Sequence, residues 1–190
     1  VLKVIIPIAA VLFSSAVFAQ VKPDIKSTAK PEAKFVMTQP LAEALQPVNG
    51  KVIDTKTFGK DNNIIVVHAS VSGADHSDAY FIVSKDKVLD IDDYANLSQL
   101  NISPQPSYAQ LSQKYPNIGI WPGNHNFPKS EELAGGITQL VFTYSLLNGC
   151  HACELGGIAN VGFNFDKDGN YLGEQLLSLS PPPISSSLTK

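Results

Sequence analysis

The sequence predicts an α+β fold: an antiparallel sheet of about six to eight strands with two short helices, a C-terminal β-meander and one disulfide-closed hairpin loop. Three observations predict it. Apolar residues alternate at period two in several stretches, above all Leu140, Phe142, Tyr144 and Leu146 within ITQLVFTYSLL. Only two stretches have helical spacing, TQPLAEALQPVNG and SYAQLSQKY. Strands and helices do not alternate regularly, as a doubly wound parallel sheet requires.

The elements follow in chain order. VLKVIIPIAAVLFSSAVFAQ carries one charge at Lys3, an apolar run from Val4 to Phe13, and small residues closing on Ala19. Residues 1–19 are therefore expected to be a secretory signal peptide cut after Ala19. Pro7, two serines and the lack of a basic stop beyond the run fit a membrane anchor less well, so no stable anchor is expected after cleavage. No cysteine follows the cut, which argues against a lipid-anchored form. The expected location is periplasmic or secreted, where thiols are oxidised. Residues 20–34, rich in lysine and proline, read as a disordered leader, and residues 181–190 as a flexible tail. Residues 35–180 form a single α+β domain in this reading.

Within that domain, TQPLAEALQPVNG is a short helix with Pro40 in its first turn and a stop at Asn49 and Gly50. KVIDTKTF, IIVVHASV, AYFIVS and KVLDI follow as strands, with a tight hairpin at Lys85-Asp86. In SYAQLSQKY, Tyr108, Leu111 and Tyr115 repeat at helical spacing, Ser107 and Gln110 suggest a capping box, and Pro116 closes the helix. WPGNHNFPK, Trp121 to Lys129, reads as an ordered surface loop, followed by a turn of helix at Ser130 to Ala134. After ITQLVFTYSLL, Val161, Phe163 and Phe165 share one face of a second strand. Asp168-Gly169-Asn170 then turns the chain into YLGEQLLSL, completing the meander.

Composition limits the partners. Hydrophobic content of 44% and charged content of 16% belong to a globular chain. All 14 basic residues are lysine and the net charge is -3. Without the planar arginine fork for phosphates and guanine edges, nucleic acid is not expected as a partner, nor is arginine-based phosphoryl transfer. The expected partner is a protein or envelope ligand of unknown identity.

The sharpest chemical signal is LLNGCHACELGG, which holds both cysteines, Cys150 and Cys153, with His151 between them. A structural disulfide closing a hairpin tip is the leading reading. Loop entropy assigns so small a ring about 2 kcal/mol, so its main effect is to fix the turn and present His151. A catalytic dithiol needs the first cysteine at a helix N-terminus, but Gly156 and Gly157 stop any helix here and Glu154 would raise a neighbouring thiol pKa. A c-type haem needs histidine directly after the second cysteine, and Glu154 stands there. A metal could draw on Cys150, Cys153, His151 and His125, with His68 and His76 further off, but one Cys-x-x-Cys without a second pair is a weak signal. No cofactor is therefore expected.

Other features carry less. Asn164 to Gln175 imitates a calcium loop, with Asp166, Asp168, Gly169 and Leu172 in place. Its first position is Asn164 and its twelfth is Gln175, so a hairpin turn explains it better. Asp90, Asp92 and Asp93 form an acidic cluster at a strand end, where solvated carboxylates are common. His68 shares a strand face with Ile64 and Val66, as a sheet-face histidine does. His76 lies among serines and aspartates, but no Gly-x-Ser-x-Gly elbow occurs. Trp121, the only tryptophan, joins His125 and Phe127 as candidate binding residues on an ordered loop. An exported, mostly β chain with a disulfide-closed, histidine-bearing turn loosely resembles the periplasmic lysozyme-inhibitor proteins. The likeness covers Cys150, His151 and Cys153, and departs in loop length.

These observations lead to an exported soluble binding protein, an inhibitor or envelope accessory factor, without catalytic residues. The alternatives are a metal-binding or thiol-disulfide redox protein using Cys150, His151 and Cys153, and below it a small secreted hydrolase.

Overall fold

The longest apolar alternation of the chain becomes its longest strand. A computed structural model describes residues 36–182 apart from 73–77, 86, 95–99 and 124. The expected signal peptide, the leader, His76 and residues 183–190 lie outside the described residues. Three helices, α1 (Gln39–Leu45), α2 (Ile91–Tyr94) and α3 (Tyr108–Lys114), accompany nine strands among the described residues. The strands are β1 (Lys51–Phe58), β2 (Ile64–Ser70), β3 (Asp78–Ser84), β4 (Lys87–Asp90), β5 (Ile118–Trp121), β6 (Lys129–Leu133), β7 (Ile137–Asn148), β8 (Leu155–Phe165) and β9 (Tyr171–Ser180).

The strands divide into two antiparallel sheets. The first has the order β1-β2-β3-β4, and the second β5-β7-β8-β9 with β6 also paired to β7. The class is α+β, and the C-terminal meander β7-β8-β9 stands as the alternation predicts. Leu140, Phe142, Tyr144 and Leu146 of β7 pack with Ala159, Val161, Phe163 and Phe165 of β8 in one core. Ile64, Val66, Tyr80, Ile82 and Leu89 of the first sheet join the same core. The two sheets therefore face each other through one apolar layer. On the other face of the first sheet, Val67, Ala69, Phe81 and Val83 meet Leu41 and Leu45 of α1. Because β2 and β3 are covered on both faces, they read as nearly continuous apolar runs, whereas β7 alternates over its middle, where buried Leu140, Phe142, Tyr144 and Leu146 interleave with the less buried Val141, Thr143 and Ser145.

Local chemistry explains most boundaries. Pro40 sits in the first turn of α1, which ends at Leu45 with Gln46 as its cap, earlier than the expected stop; Asn49, in the left-handed region at φ 47°, closes the turns that follow, and Gly50 N donates to Leu45 O at 2.8 Å. The turn after β8 is organised by Asp166, whose Oδ1 accepts from the amides of Asp168 and Asn170 at 2.9 and 2.8 Å. The Asn170 side chain and amide, above all, hold the Asp166 carboxyl below its ordinary range. The calcium-like stretch is thus a hairpin turn.

Three local expectations differ from the structure. Ser130 to Ala134 is not a turn of helix: it belongs largely to β6, which pairs with Ile137–Val141 of β7. KSEEL is exposed at all five positions and has no apolar period to read, so backbone pairing overrides the helical preference of its glutamates. Ser107 forms no side-chain cap; its Oγ donates to Leu179 O at 2.8 Å and ties α3 to β9. Ile91, the end of KVLDI, opens the one-turn helix α2, which holds Asp92 and Asp93, while Asp90 ends β4.

Gly156 and Gly157 serve packing as much as helix termination. A Cβ at Gly156 would meet Ile118 Cδ1 at 2.8 Å and Tyr115 Cδ2 at 2.9 Å, and one at Gly157 would collide with the Ser180 carbonyl oxygen. The first turn of β8 can therefore lie close to both α3 and the end of β9. Gly157→Ala is expected to destabilise the protein by about 1–3 kcal/mol through forced backbone movement. Urea unfolding checks this, with Gly119→Ala, whose Cβ would have only Trp121 Nε1 nearby at 3.8 Å, as the near-neutral comparison.

Candidate functional site

The cysteine turn joins β7 to β8. Cys150 and Cys153 form a disulfide, and Cys153 N donates to Cys150 O at 3.0 Å across the same small ring. Asn148 N donates to Glu154 O at 3.2 Å and closes its base. Gly149 has φ 90°, a conformation that favours glycine, and a Cβ there would press on the Asn117 side chain at 3.2 Å. Asn117 N in turn donates to Asn148 Oδ1 at 3.1 Å, and the Tyr115 hydroxyl donates to Glu154 Oε1 at 3.1 Å. The turn is thus mounted on the junction of α3 and β5. With both sulfurs in the disulfide, neither is a thiolate for metal binding or nucleophilic attack unless the bond is first reduced.

His151 is exposed at the tip, and its ring meets Trp121 edge-on with centroids 6.4 Å apart. Trp121 is the last residue of β5 rather than part of the loop that follows. Two candidate binding residues thirty positions apart therefore come together. Beside them lies an open groove of about 550 Å³ lined by residues 100–103, Asn117, Gly119, Ile120, Trp121 and Gly149. Every described lining residue is uncharged.

His125 and Phe127 lie elsewhere. β5 and β6 share one edge of β7 end to end, pairing with residues 145–148 and 137–141, which leaves a break between them. His125 fills it from the loop 122–128. Its side chain is 1% exposed, with Nδ1 3.2 Å from Thr143 O and Nε2 2.6 Å from Asp92 Oδ1. A carbonyl only accepts, so Nδ1 carries a hydrogen, and the short second contact holds a proton between the ring and the carboxylate. Asp92 Oδ2 also accepts from Gly123 N at 3.2 Å. The ring meets Tyr144 edge-on at 4.5 Å, and the Tyr144 hydroxyl donates to Ile91 O at 2.7 Å. Burial, chiefly, raises the Tyr144 pKa well above its ordinary value. Phe127 packs edge-on against Tyr80 at 5.5 Å, and His68 stacks parallel on Tyr80 at 4.6 Å with Nε2 3.3 Å from Asp78 Oδ1. The loop read from sequence as a surface feature is therefore turned inward at His125. Both ring nitrogens are engaged, so neither is placed to take a proton from a hydroxyl nucleophile.

The acidic cluster has a structural role. Asp90 stands directly before α2, and its Oδ1 accepts from Asp92 N at 3.0 Å, as a helix cap does. Burial, first, and then the charges of Asp93 and Asp92 push its pKa up to about 6, against the lowering effect of the backbone amides. Among the described residues, no three of His, Cys, Asp and Glu gather as a metal site requires. The sequence reading gave Tyr115 a place on α3 and Glu154 an effect on thiol pKa, and did not single out Asn117, the bond between Tyr115 and Glu154 or the far wall of the groove. Only Pro116, closing α3, hinted at a junction there. Searches against protein families, curated proteins and solved structures find no match to this chain.

Two predictions follow from the buried charges. Between pH 3.8 and about 6 the folded chain keeps the Asp90 proton that the unfolded chain has released, so stability falls as pH rises through that window. Asp90→Asn keeps the capping oxygen and cannot ionise. In urea unfolding it should be more stable than the parent by about 1–3 kcal/mol near pH 7.5 and equal to it at or below about pH 3.5, where the parent carboxyl is protonated in both states. His125→Ala removes the ring that meets the Asp92 carboxylate, whose side chain is 9% exposed, so unfolding should show a loss of about 3–5 kcal/mol. His151→Ala at the tip should stay within about 0.5 kcal/mol.

Proposed function

We propose that the protein is an exported, non-enzymatic binding protein, an inhibitor or envelope accessory factor. In this reading its contact surface is the disulfide turn, Trp121 and the groove beside them. The carrying observation is the meeting of His151 and Trp121 at the rim of an uncharged groove. An aromatic side chain beside a cleft that can be emptied of water is the usual anchor of a protein contact. The turn is held by a disulfide, two backbone bonds and the Tyr115–Glu154 bond, so little freedom is lost when a partner closes on it. A disulfide accords with an oxidising compartment, and the pattern of residues 1–19 supports export. The His125–Asp92 pair supports the non-enzymatic part, because its geometry is that of a clamp.

Immobilised protein exposed to envelope extract or host fluid, with captured proteins identified by mass spectrometry, tests the proposal. A specific partner should bind the parent, lose about tenfold or more in affinity with Trp121→Ala or His151→Ala, and be indifferent to Lys56→Ala on the first sheet. Capture that survives both rim substitutions would remove the contact surface. Insulin reduction abolished by Cys150→Ser would replace binding with thiol-disulfide chemistry.

A further inference from the structure

We infer that the break between β5 and β6 is a second binding site, which takes the carboxylate of a small ligand with an apolar body. It shares no lining residue with the groove beside Trp121, so it goes beyond the surface proposed above. A cavity of about 270 Å³ lies at the break. Its polar lining is Asn126, Lys129, Thr143 and Ser145, and Phe127, Val141 and Ile158 give it an apolar wall. Sheet geometry explains why these groups meet. Leu140, Phe142, Tyr144 and Leu146 face the core, so Val141, Thr143 and Ser145 lie on the opposite face of β7. Lys129 stands opposite Val141, and Ile158 opposite Ser145, which puts all five on that face.

On the β5/β6 edge of β7, no strand residue stands opposite Thr143. His125 Nδ1 serves the Thr143 carbonyl there, and the amide of the same residue points the same way in an antiparallel strand, so it is a donor left out of the ladder. The Thr143 hydroxyl already donates to Asn160 Oδ1 at 2.9 Å, which leaves the amide as what this residue offers. Charge decides the ligand class. Lys129 is the only charged residue in the described lining, is exposed, and forms no ion pair among the described residues. Glu131, on the same face of β6, stands opposite Gln139 and outside the lining. Asp92 lies across the His125 ring from Thr143, held by Nε2. An ammonium, a backbone N–H, a hydroxyl and a side-chain amide around one cavity are all donors, and an anionic oxygen is the acceptor that strengthens their bonds most. One cation matches one negative charge, and without arginine the chain has no fork for a phosphate dianion. A carboxylate therefore fits, with its apolar body against Phe127, Val141 and Ile158. A free short-chain acid and the C-terminal residue of a peptide both carry this chemistry.

The test titrates four probes into the isotope-labelled protein: isocaproate, acetyl-Ala-Leu with a free C-terminus, and the amide of each. The readout is the amide resonances of Thr143 and Ser145. At least one carboxylate should shift the Thr143 amide to saturation, and its amide counterpart should bind about tenfold more weakly or worse. Saturation by both acids supports a site for the carboxylate of either source, by the peptide alone a site for a peptide C-terminus, and by isocaproate alone a site for a free acid. Lys129→Gln, at an exposed position, should unfold at the parent's urea concentration and lose about tenfold in affinity, while Lys129→Arg, which keeps the charge, should retain most of it. Ser145→Val suits a strand and fills the cavity, so it should also weaken binding. The inference is overturned if neither carboxylate shifts Thr143, if the amides bind as tightly as the acids, or if Lys129→Gln binds as the parent does. Equal displacement of the acid by sulfate at matched ionic strength would leave only a nonspecific ion contact and overturn it too.

Discussion

At Thr143 the carbonyl on the β5/β6 edge of β7 meets an imidazole instead of a strand. β7 is longer than either neighbour on its β5/β6 edge, and those two short strands leave a break that nothing in the ladder closes. His125 closes it, and Asp92 holds His125 from the other side. One contact thus joins the long strand of the second sheet, the loop between β5 and β6, and α2 at the end of the first sheet. Tyr144 adds a parallel tie through Ile91 O. The ring bonds the Asp92 carboxylate and the Thr143 carbonyl at once, which turns the loop inward even though its composition is that of a surface loop.

Turning that loop inward also shapes the surface beside it. β5 ends at Trp121 before the chain dives toward Asp92, so the indole stays at the rim instead of following His125 into the core. The two histidines show how environment assigns a role. His125 has both nitrogens committed inside the protein, whereas His151 stands exposed on a turn whose shape is set by its supports. The disulfide stabilises so small a ring by only about 2 kcal/mol. The packing of Tyr115 against Gly156, the Tyr115–Glu154 bond and the Asn117–Asn148 bond position that ring relative to Trp121.

Legibility in the sequence followed burial. β7 could be read because one face is buried and alternation survives, and β2 and β3 because both faces are buried and β-branched residues accumulate. α1 and α3 carried helical spacing and proline punctuation. β5 and β6 could not be read, since four residues make too short a period and KSEEL buries nothing. The cysteine turn was legible as a hairpin tip, because two glycines and a following strand leave a helix no room. The pairing of His151 with Trp121 and of His125 with Asp92 was not legible. Each residue had been marked by its type, but partners some thirty positions apart are set by sheet topology, which no local pattern encodes.

The same topology decides what kind of contact the proposed surface could make. A chain of net charge -3 attracts basic partners at long range, which raises encounter rates and weakens with salt. The groove beside Trp121 contains none of that charge. Selectivity there would come from shape and from the penalty of burying an unpaired ion, both of which act at contact and resist screening. Attraction at a distance and recognition at the groove are therefore separable on this protein.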